Sequence, residues 1–334
     1  MRLLILGGTA WLGGYLAAVA RQLGHVVTCL ARGQSGAVPA GAVFVAADRD
    51  RANAYDDVAD ILWDVVIDVS RQPGQVRRAV AAMAKRSALF VFVSSGNVYA
   101  DHSIVGQDET ARLLPPLESD VMESMATYGE AKVACETYVL NGCGPDRAFI
   151  ARVGLIGGPG DIFDRTGYWP LRFTRPAGPG GSVLVPDARL QPTQVIDVRD
   201  LARWLVEAAS RGVHGIYNAT GLTISLAEHL DVARGVAGHT GPVVAADPDW
   251  LLAHDVQPWM GERSLPLWLP DPRWAGFNAR DSSKARQAGL MTRPLHETLA
   301  DVLAWELTRS PGRVRKAGLS DGDERSLLRQ LASR

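Results

Sequence analysis

The sequence predicts an α/β fold, a doubly wound parallel sheet followed by a smaller C-terminal lobe. Three observations carry this reading. Short aliphatic and β-branched runs alternate with helix-like segments over the first half of the 334-residue chain. The runs are apolar throughout, as strands covered on both faces are. The first run opens onto Gly7-Gly8-Thr9-Ala10-Trp11-Leu12-Gly13, a glycine-rich turn leading into a helix.

The elements follow in order. Arg2 to Leu6 reads as the first strand, and Trp11 to Leu23 has helical periodicity. Strands follow at His25 to Leu30, Val43 to Ala46 and Val65 to Val69. Gln75 to Lys85 is helical, while Ala88 to Ser94 and Arg147 to Val153 are the fifth and sixth strands. Right-handed crossovers between parallel strands then cover both faces of one sheet. Beyond residue 153 the texture changes, and Gly157-Gly158-Pro159-Gly160 and Pro176-Ala177-Gly178-Pro179-Gly180-Gly181 are loop signals. Pro242 to Asn278 combines many prolines with Trp250, Trp259, Trp268 and Trp274, which marks irregular chain packed on a core. Asp197 to Ser210 is a helix returning to the sheet, and Pro294 to Thr308 is another. Ser320 to Ser333 is an amphipathic helix with an acidic start and a basic end, which suits the helix dipole. The organisation expected is a sheet domain of residues 1–155 joined by 191–221. A second lobe takes 156–190 and 222–310, and 311–334 form a C-terminal helical tail.

Composition narrows the function. Lys and Arg number 35 against 36 Asp and Glu, so the formal net charge is −1, which argues against a general nucleic-acid binder. Hydrophobic residues make up 47%, enough for a core and against disorder. No apolar run approaches the ~20 residues that span a bilayer, so no membrane role is expected. The apolar stretch after Met1 is too short for a signal peptide and runs into the glycine turn. Cys29, Cys135 and Cys143 are odd in number and lack Cys-x-x-Cys spacing, which fits a reduced cytoplasmic compartment. Asn218-Ala219-Thr220 is a glycosylation sequon without a secretion signal. The seven histidines show no metal-ligand spacing, so no metal is expected, and there is no Gly-x-Ser-x-Gly elbow of a hydrolase.

The glycine turn points to a dinucleotide. Gly7 supplies the tight turn and Gly13 lets the helix approach the sheet. Thr9, Ala10, Trp11 and Leu12 between them bring backbone N–H groups and a helix N-terminus to a pyrophosphate. Ala10 stands where many such turns have a second glycine. After the second strand, an acidic residue would hold the ribose 2′-hydroxyl of NAD, whereas an arginine accommodates a 2′-phosphate. Arg32 occupies that place with Ser35 nearby, so NADP is expected, with NAD as the alternative. Asp48 is placed to meet the adenine amino group and Arg49 to flank the ring. Ser70 and Val153, at strand ends, complete the expected cofactor contacts.

Catalytic chemistry is suggested by Ser94-Ser95-Gly96-Asn97-Val98-Tyr99 at the end of the fifth strand and Thr127-Tyr128-Gly129-Glu130-Ala131-Lys132 at a helix start. Tyr128 and Lys132 are four apart and share a helix face. A free tyrosine, with a pKa of about 10, is a poor base at neutral pH. A neighbouring ammonium favours the phenolate and can also hold the nicotinamide ribose. A serine hydroxyl from the strand end orients the substrate oxygen while hydride moves to or from the nicotinamide.

With these pieces in order, the chain resembles the short-chain dehydrogenase/reductase superfamily in its extended branch, the NAD-dependent epimerase/dehydratase family. The matching segments are Gly7–Gly13, Asp48, Ser94–Tyr99, Tyr128–Lys132, Arg152–Asp161 and Val195–Ala202. The resemblance implies a Rossmann domain, a C-terminal substrate lobe, and Ser95, Tyr128 and Lys132 as the catalytic set. Ser95 is selected over Ser94 because the family's Ser/Thr lies four residues before the tyrosine that Tyr99 matches. It also implies a homodimer through the helix bearing Tyr128. Two departures stand out. The acidic pair that sugar dehydratases of this family carry after the Ser/Thr is Gly96-Asn97 here, and the phosphate-binding arginine four residues before Asp197 is Thr193. The glycine turn with Arg32-Gly33 also resembles an atypical branch that includes chloroplast RNA-binding proteins.

A small-molecule substrate is expected beyond the strand ends, between the lobes. Ser95, Asn97, Leu155, Arg165, Tyr168, Trp169 and Gln194 are the candidate contacts, with Asp164 and Arg172 beside them. The functional expectation is a cytoplasmic NAD(P)-dependent oxidoreductase acting at a hydroxyl or keto carbon. The alternatives are a sugar or nucleotide-sugar epimerase with tightly held NAD(P), or a non-catalytic dinucleotide- or RNA-binding protein.

Overall fold

The computed structural model describes residues 1–333. In chain order its main strands are β1 (Arg2–Leu6), β2 (Val26–Ala31), β3 (Val43–Ala46), β4 (Trp63–Asp68), β5 (Ser87–Ser95), β6 (Ala148–Val153), β7 (Leu155–Gly157), β8 (Val183–Pro186), β9 (Pro192–Asp197), β10 (Gly215–Ala219), β11 (Thr223–Ser225) and β12 (Val243–Ala246). The main helices are α1 (Trp11–Gln22), α2 (Asp56–Ala59), α3 (Pro73–Met83), α4 (Tyr128–Cys143), α5 (Tyr168–Thr174), α6 (Val198–Ser210), α7 (Leu226–Ala237), α8 (Pro248–Ala253), α9 (Ser283–Gln287), α10 (Leu295–Leu307) and α11 (Asp321–Ala332). A seven-stranded parallel sheet runs β10-β6-β5-β4-β1-β2-β3. The strand order reverses at β1, between β2 and β4. In a sheet of this kind a ligand cleft opens there, beyond the carboxyl ends.

The apolar runs make this sheet because both of its faces are covered. Along β1, Leu3 and Ile5 point into a core shared with α1 and α6, while Leu4 and Leu6 enter the opposite core. The first core holds Trp204 from α6, with Phe149 and Tyr217 edge-on around it. The second packs Val76 and Val80 of α3 and Cys135 and Val139 of α4 against Phe90 and Phe92. The edge strand β3 is the exception, and Val43 and Phe44 stay exposed.

The second lobe is built of short pieces. β7, β9 and β11 form one small sheet, and β8 pairs with β12. Helices α5, α7, α10 and α11 close over a core containing Trp169, Trp250 and Trp268. A capping box starts α7, in which Ser225 and Glu228 satisfy each other's backbone N–H groups, and Gly238 ends it in the left-handed region at φ 63°. The terminal helix α11 packs into the lobe with Leu327 and Leu328 instead of trailing from it. Arg172 of α5 holds it by donating to Asp321 and to the Leu319 carbonyl and by pairing with buried Glu324. Among the described residues no helix is long and apolar enough to cross a membrane.

Candidate active site

The turn after β1 has the geometry its glycines predict. Gly7 sits at φ 93°, a conformation that favours glycine. A Cβ on Gly13 would lie 2.1 Å from the Gly7 carbonyl oxygen, so α1 can start this close to the turn only without a side chain there. Ala10 takes the N-cap position of α1 with no side-chain hydrogen bond. The first-turn N–H groups of a helix have no intrahelical partners, so here they remain available to an anion.

A cleft of about 520 Å³ spreads from this turn across the ends of β2 and β4. Gly7, Thr9, Ala10, Arg32, Ser35, Asp48, Arg49 and Ser70 all line it, together with Arg71 and Arg78. Arg32 and Ser35 are exposed at its mouth. Asp48 accepts the Asp50 backbone N–H in the turn that follows β3. Arg49 departs from expectation. Its guanidinium is turned inward in a fork-to-fork pair with fully buried Asp68, at 2.8 and 2.6 Å, and donates to Tyr55 Oη. Pairing with a buried carboxylate takes this charge away from any adenine ring. The Leu12 side chain joins the core beneath α1, which leaves its backbone N–H as the group it can offer. Trp11 turns toward the other lobe, where its indole Nε1 donates to the Pro159 carbonyl at 2.8 Å and Tyr15 donates to the same oxygen.

A second cleft of about 350 Å³ contains Ser95, Asn97, Tyr128, Lys132, Val153, Leu155 and Arg165. The two clefts share Val69 and Arg71 in their walls and adjoin there. Tyr128 is the first residue of α4, and Lys132 lies one turn further on. Lys132 is buried, and its ammonium donates to the Ser70 carbonyl at 2.7 Å and the Val93 carbonyl at 2.6 Å. Ser95 donates to Asn97 Oδ1 and faces the cleft. Ser94 points the other way, donating to buried Glu136. Glu136 in turn pairs with Arg152 at 2.8 Å, and both are almost fully buried. This network of Ser94, Glu136 and Arg152 ties α4 to β5 and β6 and fixes where Tyr128 and Lys132 stand.

Three expected substrate contacts lie elsewhere. Tyr168 and Trp169 are buried in the lobe core, with the Trp169 indole donating to the Pro266 carbonyl. Their aromatic surface is used for packing. Gln194 is buried and brackets the backbone of Arg280, donating to its carbonyl and accepting its N–H. Asp164 and Arg172, set beside them, are structural too. Asp164 accepts from Arg309, Arg313 and the Lys316 N–H, and although burial raises its pKa, these partners hold it below the usual carboxylate range.

Several cleft residues carry no signal in the sequence. Arg280 reaches the second cleft from the loop before α9, and Met125, Phe163, Trp259, Met260 and Phe277 complete its wall. Of these, Trp259, Met260 and Phe277 fall in the tryptophan-rich stretch Pro242 to Asn278, where only the Trp259 ring is singled out by the sequence.

A parallel sheet of this order, with a glycine turn at its switch point and a Ser–Tyr–Lys set at the adjoining cleft, defines a nucleotide-binding α/β protein of the Rossmann type. The profile of the NAD dependent epimerase/dehydratase family matches residues 3–220, and the chain belongs to that family. Among curated proteins no match was found. Solved structures share the fold. UDP-N-acetylglucosamine 4-epimerase from Bacillus cereus is 15% identical, with a TM-score of 0.65 over 94% of this chain and 99% of that one. UDP-glucose 4-epimerase from Thermus thermophilus, solved in complex with NAD, is 18% identical, with a TM-score of 0.63 over 93% of this chain and 100% of that one. The NAD-dependent NDP-hexosamine 5,6-dehydratase TunA is 18% identical, with a TM-score of 0.66 over 93% and 99%.

Proposed function

We propose that the protein is an NADP(H)-linked oxidoreductase acting at a hydroxyl or keto carbon of a small molecule, with Tyr128 as the general acid/base. The observation that carries this reading is that the two clefts adjoin through the shared Val69 and Arg71. A dinucleotide whose pyrophosphate meets the α1 N-terminus would extend past Val69 and Arg71 to Tyr128 and Lys132. When bound, the cofactor supplies the hydride acceptor or donor. Everything else falls to the chain. Lys132 is anchored by two carbonyls and keeps one of its three N–H donors for a ribose hydroxyl. Its fixed positive charge steadies the phenolic oxygen of Tyr128 as a proton leaves or returns. Ser95 exchanges its bond to Asn97 for one to the substrate oxygen. In the reductive direction Tyr128 gives its proton to the forming alkoxide.

The choice of NADP rests on Arg32 and Ser35, exposed at the mouth of the cleft that Arg71 and Arg78 also line. An equilibrium fluorescence titration with NADPH and with NADH tests the proposal. Preference for NADPH is expected. Preference for NADH overturns the role of Arg32, and oxidised cofactor retained through purification moves the assignment to an epimerase. Failure of both to bind refutes the dinucleotide reading.

A further inference from the structure

A charged group buried away from water is stabilised chiefly by an opposite charge. The structure follows this rule nearly everywhere. Among the described residues four arginines are almost fully buried, namely Arg49, Arg152, Arg172 and Arg280. Arg49 has Asp68, Arg152 has Glu136 and Arg172 has Glu324. Among the described residues Arg280 has no carboxylate partner. It is held by neutral acceptors, donating to Gln107 Oε1 at 3.2 Å and to His102 Nδ1 at 2.7 Å. Its guanidinium lies over the Tyr99 ring at 4.3 Å, and Gln194 clamps its backbone from both sides. His102 cannot serve as a counter-charge. It accepts from Arg280, and burial together with that guanidinium pushes its pKa down to about 4.

Arg165 repeats the pattern in the same cleft. Its guanidinium is packed between the rings of Phe163 and Trp259, at 4.8 and 5.2 Å, and its buried Nε has no hydrogen-bond partner among the described residues. The nearby Asp161 is already engaged, accepting from the N–H groups of Phe163, Arg165 and Thr166 and from the Thr166 hydroxyl. Both arginines line the cleft that holds Ser95 and Tyr128, and the adjoining rings of Trp259 and Phe277 connect them. Burial depresses the pKa of each, Arg280 to about 10, and for Arg165 the attraction of Asp161 offsets this only in part. Arg280 also stands against the reacting centre itself. A Cβ on Gly96, the residue after Ser95, would lie 2.9 Å from its Nε.

Resting on the catalytic reading of Ser95 and Tyr128 above, we infer that Arg165 and Arg280 form an anion-binding pair for the substrate. The substrate class is a compact hydroxy or keto compound that carries an oxyanion, carboxylate or phosphate, within a few bonds of the carbon that changes oxidation state. Both oxyanions offer guanidinium groups the same paired oxygen acceptors. At about 350 Å³ the cleft falls near the small end of the ~300–1,000 Å³ usual for small-molecule sites.

Calorimetric titration with matched probes tests this, on the protein alone and with saturating NADPH or NADH. Lactate is compared with propane-1,2-diol, and glycerol 3-phosphate with glycerol. At least one charged member is expected to bind tenfold or more tightly than its neutral counterpart. Preference confined to lactate assigns a carboxylate, and preference confined to glycerol 3-phosphate assigns a phosphate. Arg280→Gln and Arg165→Gln should each weaken that probe tenfold or more and leave dinucleotide titration unchanged, while Arg165→Lys recovers part of the loss. Arg165 lies at the cleft wall, so its variants remain informative if Arg280→Gln fails to fold. Equal binding of charged and neutral probes, or undiminished anion binding in Arg165→Gln, overturns the inference. A protein that binds the anion but no dinucleotide keeps the anion site and refutes the oxidoreductase reading instead.

Discussion

Replacing Glu136 with glutamine removes one charge from the interior and little volume. Glu136 and Arg152 have side chains only 3% and 2% exposed, with three guanidinium-to-carboxylate contacts between 2.8 and 3.2 Å. The variant leaves the Arg152 cation buried without a counter-charge, and breaking such a pair costs roughly 3–5 kcal/mol. For a chain of this size that corresponds to a Tm lower by roughly 4–7 °C. Differential scanning calorimetry at pH 7 measures it. Adding Arg152→Met to Glu136→Gln removes the orphaned cation and should return part of the loss. Because Glu136 sits one turn beyond Lys132 on α4, substrate turnover should fall in the single variant even at temperatures where it is folded. A loss below about 1 kcal/mol, or a double variant worse than both single variants combined, refutes the claim that this pair anchors α4.

Other predictions concern the cofactor, the chemistry and acid stability. Tyr128→Phe should lower turnover by about 10²–10⁴-fold with the dinucleotide Kd nearly unchanged, and parallel loss of both counts against the assignment. Gly13→Ala forces a methyl into the Gly7 carbonyl and should weaken dinucleotide binding at least tenfold in the fluorescence titration, with wild-type affinity telling against a phosphate site at the turn. Arg32→Glu should reverse the preference from NADPH to NADH; an unchanged ratio removes Arg32 from the cofactor site. His229, fully buried on α7 with neither ring nitrogen hydrogen-bonded among the described residues, has its pKa lowered by burial to about 4. The unfolded chain takes up this proton from about pH 6.5 downward and the folded chain does not, so stability present above pH 6.5 is lost progressively toward pH 4. The loss at this one site is of the order of 3 kcal/mol. Urea midpoints of His229→Leu should therefore fall less between pH 7 and 4.5 than those of the wild type, and parallel curves sink the idea.

The parts of this protein legible in the sequence are those governed by local pattern. β1, β4, β5 and β6 are covered on both faces, so each prints a continuous apolar run, and the glycine turn follows the first of them. Tyr128 and Lys132 could be paired from spacing because a helix fixes what four residues apart means. The lobe strands were not legible. β7 and β11 are three residues long and exist through pairing with β9, across tens of residues of chain. Asp164, Tyr168 and Trp169 mislead for a related reason. Charge beside aromatic residues reads the same whether it faces a cleft or a core, and the deciding partners, Arg309, Arg313 and Pro266, lie about a hundred or more residues away. Arg280 is the mirror case. It stands in a plain loop and gains its meaning from His102, Gln107 and Gln194.

The contact between Gly96 and Arg280 bears on how such a pocket could change over time. The space a side chain at 96 would need is already filled by the guanidinium. An acid arriving at 96 meets a cation that neutralises it, and losing Arg280 first leaves a hole beside Ser95. Neither position can drift alone without an intermediate poor at both tasks. The two residues therefore behave as one inherited character, and chains that keep glycine at 96 are expected to keep arginine at 280.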